Sequence, residues 1–397
     1  MCKRLMVLGA GILQVPVIKK AKEMGYYAIA VDGNKDAIGL PLASKAIVAN
    51  ITDPELMLQI ATEERIHGVI HPCSEVAMNS MGYINEKMNL SGISREVILA
   101  ATNKQMMRKA FADFGAPSPM SWGLSDKQEL QDIFKYFSGD VIFKPSRNSG
   151  SRGVTKIVKG TSCDEIEKAF DRALFESRDH SVVIEDFIEG PEFSVEIVIW
   201  NHEIHVLTVT DKKTTGSPYF VELGHNQPSL FSESEVVKVK KAAIQGVKAL
   251  YLNNCVAHAE VKLSKQGPFL MEIGARLGGD FISTELVHLS TGIDMVAAAI
   301  NIALGIAPNL CPITQSQGAA IRYFIPKPGI VKSIDNLEEA NHDYVYDFEI
   351  YKQIGEEVPI VKSSIDRSGH VITVGKNAQE AVCRAEHIIK NVNILTE

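Results

Sequence analysis

Two glutamates in the second half of the chain have the spacing of a cation site. Glu260 and Glu272 lie in two segments predicted to be strands, which flank the turn-forming sequence S-K-Q-G-P. If the turn centres near Gln266, the carboxylates face each other on neighbouring strands, with Cβ atoms about 5 Å apart. An oxygen-preferring divalent cation, Mg²⁺ first and Mn²⁺ as an alternative, would offset their repulsion and could hold a polyphosphate. The competing interpretation is that one glutamate pairs with Lys262 or Arg276 at the surface.

A second candidate site is a lysine within an apolar strand. Lys144 ends the run V-I-F-K and is followed by a loop rich in glycine and serine, which includes Ser149, Gly150 and Gly153. A buried ammonium is costly unless it meets an anion or an acceptor, and such a loop can wrap over phosphates with its backbone N–H groups. No G-K-[ST] follows, so this is not a Walker A sequence, and an ordinary hairpin turn explains the loop nearly as well.

An acidic segment follows, with the sequence E-D-F-I-E-G-P-E from Glu185 to Glu192. A carboxylate at the edge of an apolar slot can accept a hydrogen bond from an adenine amino group, and one a few residues on can hold ribose hydroxyls. Solvated strand ends explain both acids equally well.

The elements that must position these residues begin with a β-α-β unit. Strands are predicted over 4–9 and 27–32, with a helix over 15–24 between them and G-A-G at the first turn. Asp32 lies about 20 residues after the turn, which is the outline of a dinucleotide-binding fingerprint. Gln14 stands where the third small residue is expected, and this favours a Rossmann-like domain without a nicotinamide. A nicotinamide-dependent oxidoreductase stays open as an alternative.

Polar residues also follow a strand predicted near residue 70. His71, Ser74 and Glu75 lie just past its carboxyl end, where open α/β sheets place ligands. Ordinary loop packing explains each of them alone. The polar segment 211–228 is a candidate for a mobile loop over a substrate, in which His225 would contact phosphate or the substrate carboxylate. The competing interpretation is an ordinary polar loop histidine without a role in the site.

Composition limits the class of protein. The 397 residues are too many for one ordinary core and suggest two or three domains. With 45% apolar and 22% charged residues and a net charge of −7, the chain is typical of a soluble globular protein and argues against nucleic acid as a partner. No apolar run reaches the roughly 20 residues of a membrane span. Six scattered cysteines without a C-x-x-C pair fit reduced thiols in the cytoplasm.

In their order along the chain, these features resemble the ATP-grasp superfamily of carboxylate–amine ligases, which includes biotin carboxylase, the carbamoyl phosphate synthase large chain and amino-acid ligases. The resemblance implies a mixed α/β and α+β fold in three parts. These are a Rossmann-like domain over 1–92, an ATP-grasp domain over 93–315 and a small α+β C-terminal domain over 316–397.

The resemblance also implies roles for individual residues. The nucleotide-binding residues would be Lys104, Lys144, Ser149, Gly150, Gly153, Glu185, Phe187, Ile188 and Glu192. The metal ligands would be Glu260 and Glu272. The catalytic residues would be Arg276, Lys144, His225 and Arg322. The chain departs from the family pattern at Gly274, where many relatives carry an Asn that is a further metal ligand, two residues after the second glutamate. Coordination of the cation must then be completed by water, phosphate oxygens or another side chain.

The function that the resemblance implies is ATP- and Mg²⁺-dependent ligation of a small acid, such as an amino acid, to an amine. The acid would be activated as an acyl phosphate, with release of ADP and phosphate. A phosphoribosylglycinamide-synthetase-like or formate-using purine ligase is the alternative within the class, and a nucleotide sensor without turnover is an alternative outside it. The expected partners are small-molecule substrates, and a homodimer is one possible assembly. The expected location is the cytoplasm.

Overall fold

A computed structural model describes residues 2–148, 152–217 and 219–397. The predicted phosphate-loop residues Ser149 and Gly150 lie outside these ranges. Within them the chain forms the mixed fold that the sequence predicts, built around three larger sheets and one of three strands.

The N-terminal part is an open parallel sheet. Its strands are β1 (Arg4–Leu8), β2 (Tyr27–Asp32), β3 (Lys45–Val48) and β4 (Gly68–Ile70), and its helices are α1 (Val15–Glu23), α2 (Pro54–Glu63), α3 (Met78–Met88) and α4 (Arg95–Thr102). The strand order is β3-β2-β1-β4, and β1 pairs in parallel with both β2 and β4. The run L-M-V-L in β1 is fully buried, because a parallel sheet is covered on both faces. The Rossmann-like prediction is confirmed.

Gln14 explains why the dinucleotide fingerprint is incomplete. Its side chain is buried and folds back over the glycine turn, where Oε1 accepts the Gly11 N–H at 3.1 Å and Nε2 donates to Pro72 O at 3.0 Å. Asp32 accepts from the Ala10 N–H at 2.6 Å. The N–H groups of Ala10 and Gly11 are therefore satisfied by side chains of the protein, at the position where a fingerprint turn would approach a pyrophosphate.

The second sheet is antiparallel, in the order β5-β8-β6-β7. This part of the chain comprises α5 (Lys104–Phe114), β5 (Ser121–Leu124), α6 (Lys127–Ile133), β6 (Val141–Pro145), β7 (Thr155–Ile157), α7 (Cys163–Glu176) and β8 (Val182–Asp186). Helix α7 is amphipathic and packs its buried face, including Phe170, against Phe143 of β6. The opposite face of β6 carries Lys144 toward the rest of the molecule.

The largest sheet has eight strands and extends into the C-terminal part. The remaining elements are β9 (Glu192–Trp200), β10 (Glu203–Thr214), β11 (Glu222–Gln227), α8 (Glu233–Ala249), β12 (Cys255–Ser264), β13 (Gly267–Gly274), α9 (Val287–Thr291), α10 (Met295–Ala303), β14 (Gly318–Tyr323), β15 (Gly329–Asp335), β16 (Val345–Ile350), β17 (Glu357–Val358), β18 (Gly369–Gly375), α11 (Ala378–Asn391) and β19 (Asn393–Thr396). The strand order is β13-β12-β9-β10-β11-β14-β18-β16, so C-terminal strands continue the sheet that carries the predicted metal ligands. The domain boundaries at 92/93 and 315/316 stay predictions.

The prediction of a mobile loop over 211–228 is wrong for most of that segment. Strands β10 and β11 pair directly, with Asp211 opposite Asn226 and Lys212 opposite His225. The side chains add to the pairing, because Asn226 donates to Asp211 at 2.8 Å. These strands lack an apolar alternation because several of their side chains face a polar cavity, so the segment looks like a loop in the sequence.

Within the described part of the chain, no single helix is long and apolar enough to cross a membrane. Only the segments 282–291 and 295–303 reach that length together, and they are bent by 118°. All six cysteines are free thiols.

Candidate active site

A cavity of about 400 Å³ brings most of the predicted site residues together. One wall is formed by β6 and the residues that follow it, and the other by β9, β10, β12 and β13. The N-terminal part contributes Cys73 and the C-terminal part contributes Lys362 to Ser364. All three parts of the chain therefore line one site.

The glutamate pair has the predicted register. Strands β12 and β13 form an antiparallel hairpin in which Glu260 is directly opposite Glu272, and both side chains line the cavity. Each carboxylate is held by an ammonium: Glu260 Oε1 accepts from Lys212 Nζ at 2.8 Å, and Glu272 Oε2 lies 3.3 Å from Lys104 Nζ. The predicted facing arrangement is confirmed.

The donor set of this pair fits a hard divalent cation. Both side chains are partly exposed, at 28% for Glu260 and 24% for Glu272, so their oxygens can be reached from the cavity. Carboxylate oxygens are the ligands that Mg²⁺ prefers. Among the described residues, no three His, Cys, Asp or Glu side chains already converge at metal-ligand spacing. A cation bound here would compete with the two ammonium groups for the carboxylates.

Lys212, on β10, is a site residue that the sequence analysis missed. Its Nζ lies 2.6 Å from Glu192 Oε1, 2.8 Å from Glu260 Oε1 and 3.9 Å from Glu222 Oε1. Burial alone would lower the pKa of Lys212, but these carboxylates hold it well above its usual range. Because alternate residues of a strand share a face, Lys212 lies on the same face as Thr210. The sequence could have indicated this position only if the segment had been predicted to be a strand.

His258, on β12, is a second residue that was missed. Its Nδ1 makes a short hydrogen bond with Glu196, a glutamate with no exposed surface, and Ser283 Oγ donates to the other oxygen of Glu196 at 2.6 Å. Its Nε2 faces Glu260 Oε1 at 3.8 Å. Burial alone would lower the pKa of His258, but Glu196 and Glu260 raise it to about 9. His258 lies two residues before Glu260, on the same face of the strand.

The two predicted phosphate lysines lie in the cavity wall. Lys104, at the start of α5, donates to Asn148 O at 3.2 Å, and Lys144 Nζ lies 2.8 Å from Glu185 Oε2. Burial alone would lower the pKa of Lys104, but Glu272 and Glu75 raise it.

The predicted loop glycine Gly153 does not line the cavity. Its φ is +72°, a conformation that favours glycine. A Cβ added at this position would lie 2.8 Å from the side chain of Glu176. The absence of a side chain therefore lets the loop pack closely against α7.

The predicted adenine contact by the Glu185 side chain does not fit the structure. Glu185 has no exposed surface, and its two oxygens accept from Arg108 Nε and Lys144 Nζ, each at 2.8 Å. Burial alone would raise the pKa of Glu185, but Arg108 and Lys144 lower it to about 2. The carboxylate is therefore a buried counter-ion, and the sequence could not indicate this because Arg108 approaches from a distant helix.

The other predicted base and ribose residues do line the cavity. Phe187 and Ile188 follow β8 at its wall, and Glu192 begins β9. Lys262 Nζ lies 5.1 Å from the centroid of the Phe187 ring and 4.0 Å from Glu192 Oε2. Burial lowers the pKa of Lys262, and the neighbouring Lys144 and Lys212 lower it further. These residues form an aromatic and basic edge of the cavity.

Arg276 and His225 both line the cavity, with Arg276 close to Cys73 and Glu75 of the N-terminal part and His225 next to Asp280. Arg276 follows the hairpin and donates through Nη1 to Leu277 O at 3.0 Å, while its Nε has no partner among the described residues. His225 Nε2 lies 3.5 Å from Asp280 Oδ2, and Arg367 forms two hydrogen bonds with the same carboxylate at 2.8 and 2.9 Å. Burial alone would raise the pKa of Asp280, but Arg367 and His225 hold it well below its usual range.

The predicted catalytic role of Arg322 does not fit its position. Arg322 is buried on β14 and does not line the cavity. Its Nε donates to Glu386 on α11 at 3.0 Å, and Nη1 donates to the backbone oxygens of His225 and Ile321. The residue ties β14 to β11 and α11, so it supports His225 from behind.

Glu75 joins the site from the N-terminal part. Burial, followed by the nearby Glu272, raises the pKa of Glu75 to about 7, and its Oε1 is buried without a hydrogen-bond partner among the described residues. Lys104 and Arg276 oppose this rise. The sequence placed Glu75 past a strand end, where ligands bind, but ordinary loop packing explained it equally well.

Two segments of the chain match models of known protein families. The ATP-grasp domain family matches residues 137–285, and the L-amino acid ligase C-terminal domain 2 family matches residues 322–397. An uncharacterised protein of Sinorhizobium fredii is 25% identical over 322 residues, which are 79% of this chain and 65% of that protein. This chain thus spans about two thirds of that relative.

Two solved structures share the fold over their whole length. L-amino acid ligase from Bacillus licheniformis superposes with a TM-score of 0.84 at 22% identity, covering 100% of this chain and 99% of that one. Phosphoribosylglycinamide synthetase from Anaerococcus prevotii superposes with a TM-score of 0.80 at 24% identity, with 100% of both chains covered. At this identity the likeness establishes the fold.

Proposed function

We propose that this chain, in which residues 137–285 match the ATP-grasp domain family and residues 322–397 match the L-amino acid ligase C-terminal domain 2 family, is an ATP- and Mg²⁺-dependent ligase that joins an amino acid or a similar small acid to an amine. The observation that carries the proposal is a single cavity lined by Lys104, Lys144, Glu260, Glu272 and Arg276. Such a set supplies charge neutralisation and alignment, which are the main requirements of phosphoryl transfer.

The chemistry proceeds in two steps. A carboxylate oxygen of the acid forms a bond to the γ-phosphorus of ATP while the bond to the bridging oxygen breaks, and this gives an acyl phosphate and ADP. The amine nitrogen then forms a bond to the acyl carbon, the bond from that carbon to the phosphate oxygen breaks, and the nitrogen loses a proton. The products are an amide, ADP and phosphate, and no nucleophilic side chain is needed.

The residues of the chain divide this work. Lys104 and Lys144 contact the phosphates, and Arg276 orients the carboxylate of the acid or the acyl phosphate. Glu260 and Glu272 would hold Mg²⁺, whose contribution when bound is to neutralise charge on the phosphate oxygens. His225 lies beside Asp280 in the lining of the cavity, where it can contact the acid.

An amino acid as substrate is supported by two opposite charges in the lining of the cavity. Arg276 and Asp280 both line the cavity and carry opposite charges, which suits the carboxylate and the ammonium of a zwitterion. The match of residues 322–397 to an L-amino acid ligase domain points the same way. We further propose that the protein acts in the cytoplasm as a homodimer, which light scattering coupled to gel filtration would test.

The test is release of ADP from ATP and Mg²⁺ with panels of acids and amines. We expect turnover that needs both substrates, and a hydroxamate when hydroxylamine replaces the amine. Glu272→Gln should abolish turnover while its circular dichroism matches the wild type, because one of the two facing carboxylates is lost. A protein that hydrolyses ATP without forming hydroxamate from any acid would overturn the proposal.

Two further arms separate the alternatives. Turnover only with phosphoribosylamine or glycinamide ribonucleotide as the amine would replace amino-acid ligation by a purine-type ligation, which the superposition with phosphoribosylglycinamide synthetase favours. Tight binding of NAD(H) without any effect of ATP would indicate an oxidoreductase.

A further inference from the structure

Gly274 and His258 are direct partners in the hairpin, next to the glutamate pair. His258 is opposite Gly274, and two residues along each strand Glu260 is opposite Glu272. The register shift of the hairpin comes only after Glu260. Because alternate residues of a strand share a face, the imidazole lies on the same face as both carboxylates. All three side chains line the cavity.

The imidazole is held in one orientation by groups outside the cavity. Glu196 binds Nδ1, Ser283 binds Glu196, and the Gly278 N–H donates to Ser283 Oγ at 2.7 Å. A Cβ at Gly278 would lie 2.5 Å from Nδ1, so this glycine leaves the space that the ring occupies. A buried carboxylate on one ring nitrogen is the usual support of a histidine that binds a metal through the other nitrogen.

The other ring nitrogen is directed at the glutamate pair. His258 is only 8% exposed, and its Nε2 makes no hydrogen bond with the described residues but lies 3.8 Å from Glu260 Oε1. Two atoms that each lie about 2.1 Å from one ion can be at most roughly 4.2 Å apart. The separation of Nε2 and Oε1 is therefore within the reach of one ion. Among the described residues the three side chains do not yet converge on one point, so the partly exposed carboxylates of Glu260 and Glu272 would turn toward the ion when it binds.

We propose that His258 binds the cation of the active site through Nε2, together with Glu260 and Glu272, and that the site consequently prefers Mn²⁺ to Mg²⁺. The inference rests on the proposed function, because the cation enters with the nucleotide. The cation takes the place of any proton on Nε2. Lys212, which also contacts Glu260, keeps Glu192 at 2.6 Å when Glu260 turns to the cation.

The preference follows from the chemistry of the ligands. Mg²⁺ demands oxygen ligands in near-ideal octahedral geometry, whereas Mn²⁺ also binds carboxylates but, as a transition-metal ion, accepts an imidazole nitrogen more readily than Mg²⁺ does. A site with one imidazole and two carboxylates thus gains more from Mn²⁺ than an all-oxygen site would. Gly274, on the opposite strand, offers no side chain as a ligand, and His258 provides one at the paired position.

The test is pulsed electron paramagnetic resonance of Mn²⁺ bound with ADP to the full-length protein, in which histidine imidazoles are labelled with ¹⁵N. We expect a ¹⁵N coupling of direct coordination in the wild type. We expect it to disappear in His258→Asn, whose amide N–H can still donate to Glu196. His225→Asn is the matched control and should retain the coupling. We also expect Mn²⁺ affinity to fall about tenfold or more in His258→Asn, with a smaller change for Mg²⁺.

The outcomes are distinguishable. Mn²⁺ and ADP that bind to the labelled wild type without a ¹⁵N coupling would overturn the inference and leave the proposed function standing. A coupling that persists in His258→Asn would also overturn it, because another histidine would be the ligand. If calorimetry detects no binding of ADP with Mn²⁺ or Mg²⁺ to the wild type, the proposed function fails and the inference falls with it. If His258→Asn does not fold, His258→Gln takes its place, and a wild-type spectrum without a ¹⁵N coupling overturns the inference in either case.

Discussion

Two clusters of this molecule pair lysine with glutamate, and they differ in whether a ligand can enter. In the sealed cluster (Arg108, Lys144, Glu185), the carboxylate has no exposed surface and both oxygens are bound. In the open cluster (Lys212, Glu192, Glu260), the carboxylates line the cavity and are about a quarter exposed, at 24% and 28%. The same chemical groups therefore have different uses.

The sealed cluster joins parts of the fold. Arg108 lies on α5 and also donates to Met271 O of β13 at 2.7 Å, while Glu185 lies on β8 and Lys144 on β6. Breaking one partner of a buried ion pair leaves an uncompensated charge. The open cluster can exchange an ammonium for another cation because solvent and ligand reach it. Burial, rather than residue type, thus separates a structural ion pair from a binding site.

The comparison predicts its largest effect for Glu260→Gln. Turnover should fall by about 100-fold or more, because a cation ligand is lost. The free energy of unfolding should change by no more than about 1 kcal/mol, because Lys212 keeps Glu192 and the site is partly exposed. Steady-state kinetics and urea denaturation measure the two effects. Wild-type activity in this variant would contradict the metal assignment of Glu260.

Glu185→Gln should show the opposite pattern. We expect a loss of about 3–5 kcal/mol in the free energy of unfolding, because Arg108 and Lys144 would be left in the interior without their anion. Urea denaturation at neutral pH measures it, with Glu192→Gln as the matched control from the open cluster. Equal losses of stability in the two variants would remove the distinction between the clusters.

The buried carboxylate of the sealed cluster should also make the free energy of unfolding depend on pH. The pKa of Glu185 is lowered from its ordinary 4.5 to about 2, so the folded state holds this carboxylate in its charged form. Its contribution, on the order of 3 kcal/mol, is fully present above about pH 4.5 and is lost as the pH falls toward 2. Urea denaturation between pH 5 and pH 3 should show a steeper loss for the wild type than for Glu185→Gln. Parallel curves would contradict the role of this group.

Lys144 belongs to the sealed cluster and also lines the cavity. Its replacement therefore tests whether a residue of the sealed cluster also contacts the ligand. Lys144→Met should weaken ATP binding about tenfold, because one positive charge facing the phosphates is lost. Calorimetric titration with ATP and Mg²⁺ measures it. Lys168→Met is the control, because Lys168 is exposed and pairs with Asp164 on the surface. An unchanged ATP affinity in Lys144→Met would refute the phosphate contact.

The smallest effect is expected for Arg322→Ala. Because Arg322 contacts Glu386 and backbone oxygens behind the cavity, kcat/KM should fall by less than about threefold. Stability should fall by about 1–3 kcal/mol, as for a lost buried hydrogen-bonded charge. A fall of 100-fold in kcat with unchanged stability would restore the direct catalytic role that the sequence suggested.

Local patterns were sufficient for much of the fold and for one half of the site. The hairpin register of Glu260 and Glu272 follows from the position of the turn, and the buried run of β1 follows from its unbroken apolar residues. Lys144 could be found because it interrupts an apolar strand. Each of these features depends on residues close together in the chain, where strand geometry fixes the distances.

Partners that are distant in the chain were decided only by tertiary structure. Glu185 became a buried counter-ion because α5 brings Arg108 to it, and Arg322 turned away from the cavity because α11 offers Glu386. Lys212 lies beside Glu192 because β10 pairs with β9. His258 lies beside Glu196 because β12 pairs with the other edge of β9. The sequence determined which groups carry charge and how each strand alternates, whereas packing determined which charges are sealed and which remain open to a ligand, because burial depends on all neighbours at once.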